Sequence, residues 1–252
     1  MKMLSLCKYI YFEKIVSQYI HMKQNYNLVF PFDFLKKISK NNNKEWFTKN
    51  KHVYQEAHTE LVYFADALLE EMTKHDAIET PTGKKSLYRI YNDIRFSKNK
   101  NPYKSNIGGG FRRASKEHRG GYYFHIEPNN SFVAGGFFSP NTADLLHIRN
   151  HLSSDPKTLK KILSEASFKK SFGTLLGDKV KTAPRGFSIE DDNIELIRHK
   201  QFLVKHSFTN EEVLSKNFHI LVSNTFKKMR PYLDYMSEIL TTDLNGEEIS
   251  GQ

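Results

Sequence analysis

The sequence predicts an α+β fold, in which a central antiparallel β-sheet of about residues 87–138 is packed between an N-terminal helical lobe and C-terminal helices. Three observations support this prediction. Residues 43–74 carry apolar side chains three or four positions apart, the spacing of an amphipathic helix. Residues 121–127 alternate apolar and polar side chains, which is typical of a strand with one buried face. Residues 209–212 read Thr-x-x-Glu, a capping box that starts a C-terminal helical segment.

The region before the predicted sheet is expected to form a helical lobe. Asp33 is a suitable N-cap for a short helix, and Asn43 for a longer helix that runs to about Lys74. Trp46 falls on the apolar side of the longer helix, so we interpret it as a core residue rather than a platform for a ligand. Pro81 marks the end of the lobe.

The segment 87–96 is predicted to be the first strand of the sheet. Because side chains alternate along a strand, the even positions, which are apolar except for Asn92, are expected to face the core. The odd positions include Arg89, Asp93 and Arg95, so two guanidinium groups flank one carboxylate on the other face. The turn that follows carries three further cations, Lys98, Lys100 and Lys104.

The segment 121–138 is predicted to be a β-hairpin around a turn that contains proline and asparagine. Consecutive strands usually pair, so the polar face of this hairpin can adjoin the polar face of the preceding strand. His125 and Glu127 are then expected beside Asp93 and Arg95, as a composite site suited to acid–base chemistry. The alternative is that this face only meets water.

The region after the predicted sheet is expected to return to helix. The apolar spacing indicates helices over about 140–152 and 155–166, and a short one over 193–199. Residues 171–187 contain several glycines and a proline and are predicted to be irregular. In the C-terminal helical segment, Pro231 is expected to kink or restart the helix.

The composition is that of one folded domain. With 252 residues, of which 38% are hydrophobic and 26% charged, the chain is able to bury a stable core without disulfides or a structural metal. Its single cysteine, Cys7, excludes an internal disulfide. We expect one domain over residues 26–242, an extension over 1–25 and a flexible tail over 243–252.

The N-terminal residues 1–22 are apolar but resemble neither a signal peptide nor a membrane span. Lys8, Glu13 and Lys14 interrupt the apolar run, and no cleavage site of small residues follows. The segment fits an amphipathic helix, or translation begins at Met22, and the sequence does not separate the two. A cytoplasmic location without membrane association is the default expectation.

Positive charge is concentrated in one stretch of the chain. Residues 84–119 hold eleven lysines and arginines against two acids, which accounts for +9 of the net charge of +10. This pattern fits either a solvated basic loop or a site that attracts anions. Interleaved tyrosines and phenylalanines favour a ligand site. The candidate ligand-binding residues are Arg89, Tyr91, Arg95, Lys98, Lys100, Tyr103 and Lys104, with Lys181 and Arg185 as a second cationic wall.

The candidate catalytic residues are Asp93, as a base or Mg²⁺ ligand, with His125 and Glu127 as acid–base partners. No resident metal is predicted, because His147 and His151 are four residues apart but lack the carboxylate of an HExxH motif. The sequence leaves the cofactor unknown. The glycines at 108–110 lack the spacing of a phosphate loop and are attributed to turns, bulges or close backbone approach.

The chain resembles the family known as domain of unknown function 2461 over about residues 30–242. The motifs that carry the resemblance are NN-x-x-WF at 42–47, RIYNDIRFSKNKNPYK at 89–104, GYYFHIEP at 121–128 and KTAPRG at 181–186. Asn92 stands where the family usually has arginine, and Asn101 replaces its usual threonine. If that arginine is essential, the shared activity is altered or weakened here. The resemblance implies a common fold and site but no named reaction.

Three functions remain open at this point. An enzyme would clamp a phosphate- or carboxylate-bearing substrate with the arginines and lysines of the basic stretch. A nucleic-acid binding module would use the same cations for phosphates and the tyrosines for bases. A structural protein would dock an acidic partner on the basic face. The oligomeric state is not predicted.

Overall fold

The computed structural model describes residues 26–95, 98, 100–115 and 118–249. It confirms the α+β class, because these residues form a four-stranded antiparallel sheet with helices before and after it. The strands, in both chain order and spatial order, are β1 (Ile107–Arg112), β2 (Gly121–Ile126), β3 (Ser131–Phe137) and β4 (Phe202–Phe208). The predictions for residues 1–25 fall outside the described residues.

Ten helices surround the sheet in the described part of the chain. Four precede it: α1 (Val29–Lys40), α2 (Lys44–Lys49), α3 (Lys51–Thr73) and α4 (Gly83–Ser86). Four lie between β3 and β4: α5 (Thr142–Ser154), α6 (Lys157–Ser164), α7 (Ala166–Phe172) and α8 (Ile194–Ile197). Two follow β4: α9 (Asn210–Val213) and α10 (Phe218–Thr241). None of these helices is both long and apolar enough to cross a bilayer.

The helix starts are only partly those expected from capping residues. Asn43 does cap a helix, since its side chain accepts from the amide of Trp46 at 2.9 Å. The predicted long helix is divided at Asn50 into α2 and α3. Asp33 is not an N-cap, because α1 already begins at Val29 and Asp33 lies within it.

The C-terminal helices follow their local signals. The Thr209–Glu212 capping box is formed in both directions: Thr209 accepts from the amide of Glu212, and Glu212 from the amide of Thr209. Helix α10 runs without interruption through Pro231.

The hairpin predicted over 121–138 is confirmed, and its two faces are assigned as expected. On β2, Tyr122 and Phe124 are buried and face the long helices α3 and α10. Phe124 packs edge-on against Phe64 of α3 at 5.4 Å between ring centroids, and Tyr122 lies 4.8 Å from Phe226 of α10. The other face of the sheet, which we call the outer face, is half-buried.

The segment 87–96 differs from the continuous strand that the sequence predicts. Its described residues form only two isolated bridges, Leu87 with Gly109 and Tyr91 with Tyr103. Of the even positions expected in the core, Ile90 is buried, whereas Tyr88 and Ile94 are exposed. The reason is that the segment borders the β1 edge and has no partner strand over its full length. Phe96 lies outside the described residues.

The fourth strand lies outside the range predicted for the sheet. β4 comes after the helical region and pairs with β3 in an unbroken register from Phe202–Phe137 to Phe208–Ser131. Its sequence, FLVKHSF, alternates for only a few residues before two polar positions, so its strand signal is weak beside the surrounding helices. The sheet therefore combines segments more than sixty residues apart in sequence.

A buried ion network joins β1 to α10. Arg113, whose side chain is 0% exposed, donates to the carboxylate of Asp76 at 2.9 Å and also pairs with Asp234. Tyr122 donates to the same Asp76 carboxylate at 2.6 Å. Burial by itself raises the pKa of Asp76, but the hydrogen bonds from Tyr122 and Arg113 outweigh this and hold the pKa below its usual value. One arginine of the basic stretch is therefore structural.

Candidate functional site

The basic segment, residues 89–104, leaves the β1 edge as a loop that is closed at its base. Tyr91 and Tyr103 form an antiparallel bridge, and the side chain of Asn92 donates to the carbonyl of Tyr103 at 2.9 Å. Asn42 binds the same residue twice, donating to its carbonyl at 2.8 Å and accepting from its amide at 3.1 Å. Asn92 is therefore a structural clamp in this chain.

Asp93 and Arg95 lie beyond this base and form a bidentate ion pair at the surface. Arg95 Nε donates to Asp93 Oδ1 at 3.0 Å, and Arg95 Nη2 donates to Asp93 Oδ2 at 2.7 Å. Hydrogen bonds from the side chain and main chain of Arg95, with a smaller contribution from the charge of Arg89, lower the pKa of Asp93. A carboxylate held in this state is a weak base.

The lysines of the basic segment are anchored by main-chain oxygens. Lys100 Nζ donates to the carbonyl of Ile94 at 3.0 Å, and Lys104 Nζ donates to the carbonyl of Arg89 at 2.9 Å. Burial and the nearby Arg89 guanidinium lower the pKa of Lys104. Because an ammonium group has three protons, each of these lysines keeps donors for a ligand. Lys98 is exposed.

The two tyrosines predicted to bind a ligand differ in exposure. Tyr103 is 5% exposed, and its ring stacks on Phe47 with the centroids 4.0 Å apart. Burial, and to a smaller extent Tyr91, raise the pKa of Tyr103. Tyr91 is 49% exposed and meets Phe47 edge-on at 6.0 Å. Of the two, Tyr91 presents ring surface to a ligand, and Tyr103 belongs to the core.

Three residues of β2 and its end form a hydrogen-bonded chain along the outer face, which we call the relay. Tyr123 Oη lies 2.9 Å from His125 Nδ1, and His125 Nε2 lies 3.2 Å from Glu127 Oε2. Glu127 is held from two sides, by Ser105 Oγ at 2.9 Å and by Asn130 Nδ2 at 2.7 Å. The relay forms because every second side chain of a strand points to the same face.

Burial and hydrogen bonding determine the protonation of the relay. Burial raises the pKa of Glu127, but hydrogen bonds, led by those from Asn130 and His125, hold it below the usual value. Burial lowers the pKa of His125, which Glu127 opposes and Lys205 reinforces. Burial raises the pKa of Tyr123 to about 12. At pH 7 we therefore assign a carboxylate, a neutral imidazole protonated on Nε2, and a phenol that donates to Nδ1.

We predict that His125 titrates below the ordinary histidine pKa of about 6.5, as measured by NMR of its ring protons. Glu127→Gln should lower this pKa further, because the carboxylate stabilises the imidazolium by a hydrogen bond and by its charge. Lys205→Met should raise it. Since the unfolded chain binds this proton more tightly, His125 reduces stability as the pH falls below about 6.5.

The matched control for this titration is Glu45→Gln, which removes an exposed carboxylate from α2. It should leave the titration of His125 unchanged. A His125 titration that does not move in Glu127→Gln would contradict the assigned relay.

The structure brings His125 and Glu127 together in the relay, whereas Asp93 pairs with Arg95 in the basic segment. The amide of Tyr88 donates to the carbonyl of Gly108 at 2.9 Å, and Gly108 pairs with His125 in the sheet. Asp93 lies five residues beyond Tyr88, after a bend at Ile90. A composite site that also includes Asp93 stays a prediction.

Lys181 and Arg185, predicted as a second cationic wall, are exposed in a stretch attached to the other edge of the sheet. Leu176, in the same stretch, bridges Leu203 of β4, whereas the basic segment follows the bridge of Leu87 to β1. Because β1 and β4 are the outer strands of four, these edges are about 14 Å apart. A second cationic wall opposite the basic segment stays a prediction.

His147 and His151 lie close together, as their spacing on α5 predicts. Their Nε2 atoms are 3.2 Å apart, and His147 Nε2 also lies 2.8 Å from the carbonyl of Thr242. In the part of the chain that the structure describes, no group of three or more histidine, cysteine or acidic side chains is arranged to hold a metal.

Sequence reasoning missed two parts of the site. The alternation of residues 121–127 puts Tyr123 on the same face as His125, but the pattern does not show that the Tyr123 hydroxyl is the end of a relay. Ser105 and Asn130, which orient Glu127, come from two different turns. For Tyr123 the strand alternation was a sufficient signal. For Ser105 nothing local indicates the contact, because it depends on how the basic segment returns to β1.

The fold and the site define an α+β protein with a cationic loop at one edge of a four-stranded antiparallel sheet and a polar relay on its outer face. A family model described as "Conserved hypothetical protein (DUF2461)" matches residues 31–235. The chain belongs to this family, which confirms the resemblance seen in its motifs. No curated protein and no solved structure gave a significant match.

Proposed function

We propose that this protein binds a ligand that carries a phosphate or carboxylate group, and that the basic segment holds this anion. The observation that carries the proposal is the charge of residues 89–104, which hold five cations and a single acid, Asp93. That acid is already matched by Arg95. The remaining positive charge creates a local field that attracts anions. Arginine adds a planar fork suited to bidentate contact with phosphate or carboxylate.

An acid–base role falls to the relay rather than to Asp93. The Asp93 carboxylate is bound on both oxygens by Arg95, and its pKa is lowered, so it is a poor proton acceptor. His125 is neutral near pH 7, is oriented by Glu127 and accepts from the Tyr123 hydroxyl, so the proton that it takes as a base is that of Tyr123.

A second candidate is a nucleic-acid strand, which the exposed aromatic residues favour. Tyr88 is 53% exposed and Tyr91 is 49% exposed, and they lie on either side of Arg89. Exposed rings next to cations suit the stacking of bases with simultaneous contact to phosphates.

The first test compares the affinity for pyrophosphate of the intact protein and of a Lys98→Ala/Lys100→Ala variant by calorimetry. We expect the variant to bind about tenfold more weakly, because two charge-assisted contacts are lost. The control is Lys169→Ala/Lys170→Ala, which removes the same charge from exposed positions of α7. The control should bind within about twofold of the intact protein.

Two results would overturn the proposal of an anion site in the basic segment: no binding of pyrophosphate, or equal weakening in both variants. The salt dependence of binding to an oligothymidylate distinguishes the second candidate, a nucleic-acid strand, from a small anionic ligand. A strand that runs over the basic segment gives a log–log slope that falls by about 0.7 for each lysine removed. A slope that Lys98→Ala/Lys100→Ala leaves unchanged excludes this strand path.

A further inference from the structure

Two clefts meet at Tyr88 on the outer face of the sheet. The first, which we call the aromatic compartment, has a volume of about 570 Å³. Its lining is mostly apolar and includes Tyr88, Tyr123, Phe132, Ala134, Phe138 and Leu203. The second, which we call the polar compartment, has a volume of about 490 Å³. Its lining includes Glu79, Thr80, Lys85, Ser86, Tyr88 and Arg112.

Tyr88 is the common wall of the two compartments. Its ring stacks on Tyr123 with the centroids 6.0 Å apart and the planes 20° from parallel. Its hydroxyl lies over Gly110, where a Cβ atom would come within 2.6 Å of it. A glycine at this position therefore lets the tyrosine lie flat against β1 between the two clefts.

The aromatic compartment is suited to a flat ring. Its base includes Ala134, which has only a methyl side chain, and Gly136, which has none. The sheet surface is therefore depressed between the larger side chains around it. Phe138 lines the same compartment and is 70% exposed, so its ring is open to contact by a ligand. The phenol of Tyr123 donates its proton to His125, so its oxygen offers lone pairs to a ligand. A flat ring with an N–H donor fills the apolar space and donates to the Tyr123 oxygen.

The polar compartment is suited to an anion. Lys85 and Arg112 are both exposed at its wall, against one acid, Glu79. Within the described residues, neither Lys85 nor Arg112 forms an ion pair. Their charges are therefore available to a ligand. The main-chain amide of Arg112 donates to the Thr80 hydroxyl at 2.9 Å. This hydrogen bond fixes one edge of the cleft.

We propose that the two compartments together bind a mononucleotide, with the base in the aromatic compartment and the phosphate against Lys85 and Arg112. Clefts of a few hundred Å³ with mostly apolar walls and a few polar groups are typical of small-ligand sites. This site goes beyond the anion site proposed above, because Lys85 and Arg112 lie outside residues 89–104.

The test measures the affinities of AMP and of adenosine by calorimetry, so that phosphate and base contacts are separated. Lys85→Ala should weaken AMP about tenfold and leave adenosine within about twofold, because it removes only a phosphate contact. Phe138→Ala should weaken AMP and adenosine alike, by about tenfold, because it removes ring contact. Both residues are exposed, so neither variant is expected to unfold.

Two matched controls accompany these variants. Lys84→Ala removes the neighbouring exposed lysine of α4, which does not line the cleft, and Ile189→Ala removes an exposed apolar side chain elsewhere. Both should leave the affinities unchanged. Lys98→Ala/Lys100→Ala should also leave AMP binding unchanged, which distinguishes this site from the basic segment.

Two results would overturn the assignment. The first is that neither AMP nor UMP binds the intact protein up to about 1 mM, the weak end of specific binding, whether or not an oligothymidylate binds. The second is that Lys85→Ala behaves like Lys84→Ala.

Discussion

Asp76→Ala is expected to lower the free energy of unfolding by about 3–5 kcal/mol, because it leaves a buried charge without its main partner. The side chains of Asp76 and Arg113 are 1% and 0% exposed, and they pair at 2.9 Å. The same carboxylate accepts the hydroxyl of Tyr122, which is also buried. Removing it leaves the buried guanidinium with Asp234 as its remaining acid and leaves the buried phenol without its acceptor. Urea denaturation measures the loss.

The control is Asp33→Ala, which breaks an exposed pair with Lys36 and should change stability by no more than about 0.5 kcal/mol. The double variant Asp76→Ala/Arg113→Met should recover part of the loss, because it no longer buries a guanidinium that has lost one of its two acids. An Asp76→Ala variant as stable as Asp33→Ala would refute this role for the network.

The same network makes the free energy of unfolding depend on pH in the acidic range. The pKa of Asp76 is lower in the folded chain than in the unfolded chain. Its contribution is therefore fully present above the unfolded pKa of about 4 and is lost as the pH falls through the folded value. The difference in stability between the intact protein and Asp76→Ala should narrow over this acidic range.

Local patterns were sufficient where one residue or one strand face determines the outcome. Asn43 caps a helix because its side chain replaces a missing main-chain partner within three residues. The alternation in 121–127 predicted both the hairpin and the face that carries His125 and Glu127, because the side-chain period of a strand needs no tertiary information.

The errors arose where the partner is distant in sequence. The segment 87–96 alternates like a strand, yet in its described residues it pairs only at two isolated bridges, Leu87 with Gly109 of β1 and Tyr91 with Tyr103. β4 gains its partner from β3 across an intervening helical region. The residue pattern of one strand does not show where in the sequence its partner strand lies.

Counting charges also concealed a structural distinction. Arg113 and Arg119 contribute to the positive stretch, but Arg113 is bound within the core and Arg119 pairs with Asp144. Arg89 and Arg95, by contrast, are exposed. Net charge measures the field of a molecule only for groups that reach solvent, and burial is a property of the fold rather than of composition.

Gly136→Ala is expected to cost about 3 kcal/mol or more, for two reasons that add. The backbone of Gly136 has a φ of +127°, a conformation that side chains rarely adopt. A Cβ atom there would lie 2.1 Å from the carbonyl oxygen of Phe202 on β4. Main-chain atoms of a paired strand have no room to yield, so the β3–β4 register must open. Thermal and urea denaturation measure the loss.

Gly186→Ala is the control for the backbone contribution. Gly186 has a φ of +89° but nothing within 4 Å of the added Cβ, so only the backbone cost of about 1–2 kcal/mol applies. The difference between the two variants then combines the clash with β4 and the larger φ of Gly136. Equal losses would mean that β4 moves away from β3 without cost, and the outer wall of the aromatic compartment, Leu203 of β4, would not be fixed relative to Phe138.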